Sequence, residues 1–189
     1  MTDIYLVRHG ETEWSASGRH TSVTDLDLTD NGVDRAGRLR DRLHPDDFGL
    51  VLSSPRRRAR RTAELAGFDA ASVQVSDDLA EWGYGEYEGR TGVNIRAERP
   101  GWTIWNGDPP GGETAEQVKA RLNRLIERCL TSDAGKVICF GHGHCLRALA
   151  LCWLSLDFGY GDQFPLDTAT VSVLGPYKQG RSLIRWNAS

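Results

Sequence analysis

The sequence predicts an α/β sandwich with a largely parallel sheet, and three observations predict it. Short apolar runs of strand length alternate with segments whose apolar residues recur at helical spacing. Turn-forming residues stand at the joints between them. Three of the apolar runs end directly in polar clusters, as expected where parallel strands deliver their carboxyl ends to one binding edge. The 189 residues fit one domain of ordinary size, spanning 1–189.

Ile4-Tyr5-Leu6-Val7 reads as a buried central strand. Thr29 is the N-cap of a helix with Val33, Ala36, Leu39 and Leu43 at helical spacing, and Pro45 stops it. Phe48 to Leu52 is a second buried strand, ending in Ser53-Ser54-Pro55. Pro55 suits the first turn of the next helix, which runs to about Ala66 and halts at Gly67. Val73-Gln74-Val75 is a short strand. Residues 81–112, rich in Gly, Trp and Pro, are mostly loop with one short helix. They form an insertion within the domain, lid-like over 82–112. Glu113 to Leu130 is an amphipathic helix with Val118, Leu122, Leu125, Ile126 and Cys129 on one face. Lys136 to Phe140 is a third buried strand, followed by an apolar helix from about Leu146 to Leu154. Thr170–Leu174 and Ser182–Trp186 form a closing pair of strands around Pro176 and Gly180. There is no internal repeat or low-complexity tract.

Composition narrows the function classes. Net charge is −3, which points to neither nucleic acid nor an anionic membrane as a partner. The N-terminus lacks the basic and apolar regions of a secretory signal, and no apolar stretch reaches bilayer length, so a cytoplasmic protein is expected. The four cysteines, Cys129, Cys139, Cys145 and Cys152, form no CxxC pair; buried free thiols in a reducing compartment are expected.

The three polar clusters are Arg8-His9-Gly10-Glu11-Thr12, the block from Ser53 to Arg61, and Gly141-His142-Gly143-His144. If their strands are parallel neighbours, the clusters converge on one pocket holding histidines and arginines. The natural ligand is a compact anion, and phosphate suits it best, because guanidinium forks match its oxygens in a bidentate way.

Leu6 to Trp14, with Arg8-His9-Gly10-Glu11-Thr12 at its centre, resembles the signature of the histidine phosphatase superfamily, the phosphoglycerate mutase-like proteins. Ser54-Pro55-Arg56-Arg57-Arg58-Ala59 resembles the second motif, whose pocket arginine precedes the alanine, hence Arg58. Leu79-Ala80-Glu81 with Gly85 and Gly89 resembles the acid motif; Gly112-Glu113-Thr114 before a helix is also family-like. Gly141-His142-Gly143 with Leu146-Arg147 resembles the second histidine motif. The resemblance runs from residue 4 to about 150, in the family's order. It implies a three-layer α/β/α sandwich of phosphoglycerate mutase-like topology.

The same resemblance implies the roles. His9 is the nucleophile; Arg8, Arg58 and His142 neutralise the phosphoryl oxygens; Glu81 is the proton donor, although Glu86 and Glu88 stand close in sequence. No metal or other cofactor is implied, since arginines and histidines carry the positive charge. Ser15 stands where many relatives have Asn. The Thr21-Ser22 pair resembles acid phosphatases and sugar bisphosphatases, where it lines the substrate side. Gly143 and His144 lie beside the pocket; relatives often have Asn or a small residue at the latter, whose role stays open. Arg56, Arg57, Arg60 and Arg61 read as a solvated helix face, His20 and His44 as surface residues, and Trp102 and Trp105 as lid or core packing. The leading expectation is hydrolysis of a small phosphate ester. The alternatives are phosphoglycerate mutase-type transfer, a phosphoprotein phosphatase, and a non-catalytic phospholigand-binding protein. A homodimer is left open.

Overall fold

Alternating burial explains the first strand. In the computed structural model, which describes residues 2–189, β1 (Asp3–Arg8) turns Ile4 and Leu6 to one apolar layer and Val7 to the other. A capping box between Thr12 and Ser15 then starts a single turn, α1 (Glu13–Ala16). Thr29 caps α2 (Asp30–Gly37), accepting from the N–H of Gly32 at 3.1 Å. This helix is shorter than its apolar spacing predicts: it tightens into a 3₁₀ turn over Arg38–Asp41, and Leu43 enters the core from the segment beyond.

β2 (Leu50–Ser53) precedes α3 (Arg57–Leu65). Pro55 lies before this helix and not in its first turn, because Arg56 is the N-cap. Arg56 offers no side-chain cap; instead the Asp25 carboxylate accepts from the N–H of Arg57 at 2.8 Å. β3 (Gln74–Val75) and α4 (Gly92–Glu98) follow. The Thr114–Gln117 capping box begins α5 (Ala115–Thr131) just after Glu113. β4 (Lys136–Gly141) is buried along almost its whole length, and α6 (Gly143–Leu154) begins earlier than Leu146. The chain closes with β5 (Val171–Tyr177) and β6 (Gly180–Ala188). Pro176 and Gly180 belong to these strands, and the turn passes through Lys178, at φ 54°. Proline is tolerated there because β1 pairs with β5 only as far as Leu174.

The sheet order is β3-β2-β4-β1-β5-β6. The first four strands are mutually parallel, and β5 and β6 add an antiparallel edge. One face packs Ile4, Leu6, Leu52, Val137 and Cys139 with the apolar residues of α5 and α6. The other packs Val7, Val51, Ile138 and Phe140 with Leu39 and the alanines of α3. The result is the expected α/β/α sandwich. All four cysteines are buried and free.

Candidate active site

Register decides what meets at the carboxyl edge of the sheet. Arg8 is opposite Gly141, and Ser53 is opposite Phe140, so β2, β4 and β1 end side by side. The ladder continues one step past the strands. The N–H of His9 donates to the Gly141 carbonyl at 3.0 Å, and that of Ser54 to the Phe140 carbonyl at 2.9 Å. The three polar clusters therefore share one edge.

His9 is 5 % exposed. Its Nδ1 lies 2.7 Å from the Gly10 carbonyl. A carbonyl can only accept, so the proton is on Nδ1 and the lone pair on Nε2. Among the described residues Nε2 has no hydrogen-bond partner. Burial, reinforced by the charges of Arg58 and Arg8, holds His9 well below the usual histidine range.

Arg58 and His142 stand behind His9, both fully buried. The His9 and His142 rings meet edge to face at 5.1 Å. Arg58 Nε donates to His142 Nδ1 at 3.2 Å, which leaves His142 Nε2 to donate to the Ser54 hydroxyl at 2.7 Å. The remaining Arg58 contacts go to carbonyls of Thr21, Ser22 and Thr24. The pair thus braces His9 and the 21–24 segment, with both nitrogens of His142 already used. Arg8 is different. One of its amino groups donates to the Leu166 carbonyl, while its buried Nε has no partner among the described residues.

Glu81 is 6 % exposed. Its carboxylate accepts from the N–H groups of Trp82 at 2.9 Å, His144 at 3.0 Å and Cys145 at 2.7 Å. Two of these donors belong to the first turn of α6, where helix N–H groups lack internal partners. Its two acidic neighbours are accounted for otherwise. Glu86 is exposed, and Glu88 accepts from the N–H groups of Ser22 and Thr24.

A cavity of about 160 Å³ opens at this edge, lined by Arg8, His9 and Glu81 together. Ser15, Thr21, Gly143 and His144 line it too. Ser15, however, spends its hydroxyl proton on the Thr12 carbonyl at 3.0 Å. Ser22 does not face the cavity: its hydroxyl donates to the Glu81 carbonyl at 3.0 Å, because Glu88 pulls its backbone toward the acid loop.

His20 is no surface residue. It lines the cavity, packs edge to face on Tyr84 at 4.7 Å and lies parallel to His144 at 5.8 Å. Its Nδ1 donates to the Arg90 carbonyl at 2.9 Å, leaving Nε2 as an acceptor. Tyr84 and His144 share a hydrogen bond between the phenol and Nδ1. Trp105 meets the His144 ring at 5.3 Å, and Arg147 lies over the Trp105 face at 4.8 Å, held by Gly161 and Asp162. Trp102 is buried against Tyr87 and His20, so both tryptophans are core residues that also back the cavity. Sequence reasoning missed His20, Tyr84 and Arg147 as lining residues; only the closeness of Tyr84 to Glu81 and of His20 to Thr21 could have signalled two of them. No cluster of three or more His, Cys, Asp or Glu side chains suited to a metal occurs among the described residues.

Burial lowers the pKa of His9, His20, His142 and His144. In the unfolded chain they titrate near 6.5. The stability contributed by keeping them neutral is complete above that pH and declines as pH falls through it toward the depressed folded values. Each histidine adds at most about 1.4 kcal/mol per pH unit to that slope. Thermal melts should show Tm falling between about pH 6.5 and 5.5, with a shallower slope for His144→Asn. A Tm that is flat over this interval would contradict the argument.

Comparisons with known proteins agree with this geometry. The profile of the histidine phosphatase superfamily (branch 1) matches residues 4–189. An acid phosphatase of Mycobacterium tuberculosis is 40% identical over 176 residues, covering 91% of this chain and 85% of its own length. The sedoheptulose 1,7-bisphosphatase of Saccharomyces cerevisiae is 37% identical over 194 residues, covering 86% of this chain and 70% of its own. A solved structure of a Mycobacterium tuberculosis open reading frame superposes with a TM-score of 0.93 at 36% identity, over 100% of this chain and 98% of that one. Among the described residues no helix is long and apolar enough to cross a membrane.

Proposed function

The chain belongs to the histidine phosphatase superfamily; from this premise we propose that it is a phosphatase, hydrolysing a small phosphate monoester, a sugar phosphate or similar metabolite, through a phosphohistidine on His9. One observation carries the reading. One small cavity is lined by His9 and Arg8, whose Nε2 lone pair and buried Nε–H have no partner among the described residues, and by Glu81. A buried donor without a partner is costly, and a phosphoryl oxygen would satisfy it.

In this mechanism His9 Nε2 attacks phosphorus in line, and the ester P–O bond breaks. Glu81 gives its proton to the departing alkoxide. In the second half, water attacks the phosphohistidine, Glu81 takes the water's proton, and the N–P bond breaks to release phosphate. Arg8 meets the equatorial oxygens directly. Arg58 acts through its charge from behind His9, and His142 holds the nucleophile in place. Thr21, Gly143 and His144 face the rest of the substrate, together with His20 and Tyr84. Neutral imidazoles and a phenol beside aromatic rings suit the hydroxyls of a polyol. The size of the cavity favours a metabolite over a phosphoprotein. The names of the acid phosphatase and bisphosphatase relatives support a phosphate ester as the substrate class.

Water is the acceptor in this reading. The whole chain acts as one domain in which residues 82–112 form a partial lid, too short to seal a phosphohistidine from solvent. A panel of phosphorylated metabolites should therefore yield inorganic phosphate from at least one sugar phosphate. With 3-phosphoglycerate and a trace of 2,3-bisphosphoglycerate, phosphate release should exceed formation of 2-phosphoglycerate. Isomer formation that far outpaces phosphate release would replace this reading with mutase-type transfer.

A further inference from the structure

A half-buried ion pair brackets Glu81, and none of the roles above uses it. Arg121, on α5, is 7 % exposed. Its Nε and one amino group donate to the Glu113 carboxylate at 2.8 and 3.0 Å. Its other amino group donates to the carbonyls of Asp78 and Ala80 at 2.8 and 2.9 Å, just before Glu81 in the chain. Glu113 holds the chain just after it. The Glu113 carboxylate accepts from the N–H of Gly83 at 2.8 Å, and its carbonyl accepts from Trp82 Nε1 at 2.9 Å. Its own N–H donates to the Gly83 carbonyl at 2.8 Å.

The docking leaves no slack. A Cβ on Gly112 would come within 2.2 Å of the Gly83 carbonyl oxygen, and one on Gly85, at φ +52°, within 2.1 Å of the Pro110 carbonyl oxygen. The backbones of residues 83–85 and 110–112 therefore lie against each other without intervening side chains. Arg121 also reaches Cys145 Sγ at 3.7 Å, and the N–H of Cys145 donates to Glu81. Both sides of the carboxylate's setting thus lead back to one guanidinium.

We propose that Glu113 and Arg121 are positioning residues for Glu81: the pair fixes the height and direction from which the acid reaches the leaving oxygen. The pair is a weak source of net stability, because desolvation of the buried Arg121 offsets the attraction. What it supplies here is geometry. A planar fork can grip a carboxylate and two carbonyls at once, and a lysine ammonium cannot reproduce that arrangement. Neither residue lines the cavity, so neither touches the substrate.

The inference rests on Glu81 being the proton donor, and the test separates the two. Arg121→Met, Arg121→Lys, Glu113→Gln and Glu81→Gln are compared in the full chain on an alkyl phosphate and on p-nitrophenyl phosphate. Misplacing a reacting group by about 1 Å can cost roughly 10²-fold. The expected result for the clamp variants is a kcat/KM on the alkyl ester lowered ~10- to 100-fold, with the aryl kcat/KM within about threefold of the parent. In a Glu81→Gln background, Arg121→Met should add almost nothing, because the group it positions is gone. Equal losses on both esters, or a loss that adds fully to that of Glu81→Gln, overturn the clamp alone. If Glu81→Gln itself shows no leaving-group selectivity, the acid assignment fails and the clamp falls with it. Should Arg121→Met not fold, Arg121→Lys and Glu113→Gln decide the same question.

Discussion

His9→Ala should abolish turnover, with a loss of roughly 10⁴-fold or more in kcat, since removing a nucleophile collapses the whole covalent route. The size of the effect follows from the cavity. His9 presents an unused nucleophilic lone pair there beside Arg8, at a ring whose Nδ1 is tied to the Gly10 carbonyl. Its depressed pKa keeps that lone pair free in mildly acidic solution, where an exposed histidine would already be half protonated. Rapid quenching during turnover of the parent protein should trap a phosphoryl group that survives alkali and is lost in acid. His9→Ala should trap none. Near-normal turnover by that variant would remove the nucleophile from the mechanism, and a trapped phosphoryl group on another residue would reassign it.

Glu81→Gln should slow alkyl phosphates by roughly 10²- to 10⁴-fold, the range of general acid–base catalysis. Aryl phosphates should suffer far less in the phosphorylation step, because a phenolate leaves without help. Glutamine keeps an acceptor oxygen for the N–H groups of Trp82 and Cys145 and gives up only the one from His144, so the loop should hold most of its shape. The measurement is kcat/KM, which reports the steps up to phosphorylation, across a series of esters graded by leaving-group pKa. A steep dependence in the variant against a shallow one in the parent is the expected signature. Parallel lines would assign Glu81 a structural role. Glu86 and Glu88 are poor substitutes, the first exposed and the second committed to the backbone of Ser22 and Thr24.

The fold was legible because its parallel strands are written as apolar runs and its helices as amphipathic ones. β1 and β4 are central strands covered on both faces, so each reads as a short continuous apolar run, Ile4-Tyr5-Leu6-Val7 and Val137-Ile138-Cys139-Phe140. Element ends were less legible, and for identifiable reasons. α3 begins at Arg57 because Asp25, distant in sequence, satisfies the N–H of that residue. α6 begins at Gly143 and not at Leu146, so His144 and Cys145 become first-turn donors to Glu81 rather than loop residues.

Within the candidate site, the sequence by itself determined the identities that local register controls. Arg8 ends a buried strand with His9 directly after it, and His142 follows another. The resemblance of the surrounding motifs added Glu81 and Arg58, the latter on the buried face of α3 with Ala59, Thr62 and Ala63. Only the tertiary structure decided where these groups stand relative to one another. It put Arg8 and Glu81 on the cavity with His9, and turned Arg58 and His142 into a brace behind it. It also drew His20 inward against Tyr84 and His144, and turned the Ser22 hydroxyl to the Glu81 carbonyl. The physical reason is that strand and helix periodicity fix which way a side chain points within an element. The 18–24 segment has no such periodicity. Its course is set by Arg58 and Glu88, which reach it from remote parts of the chain and satisfy its backbone groups.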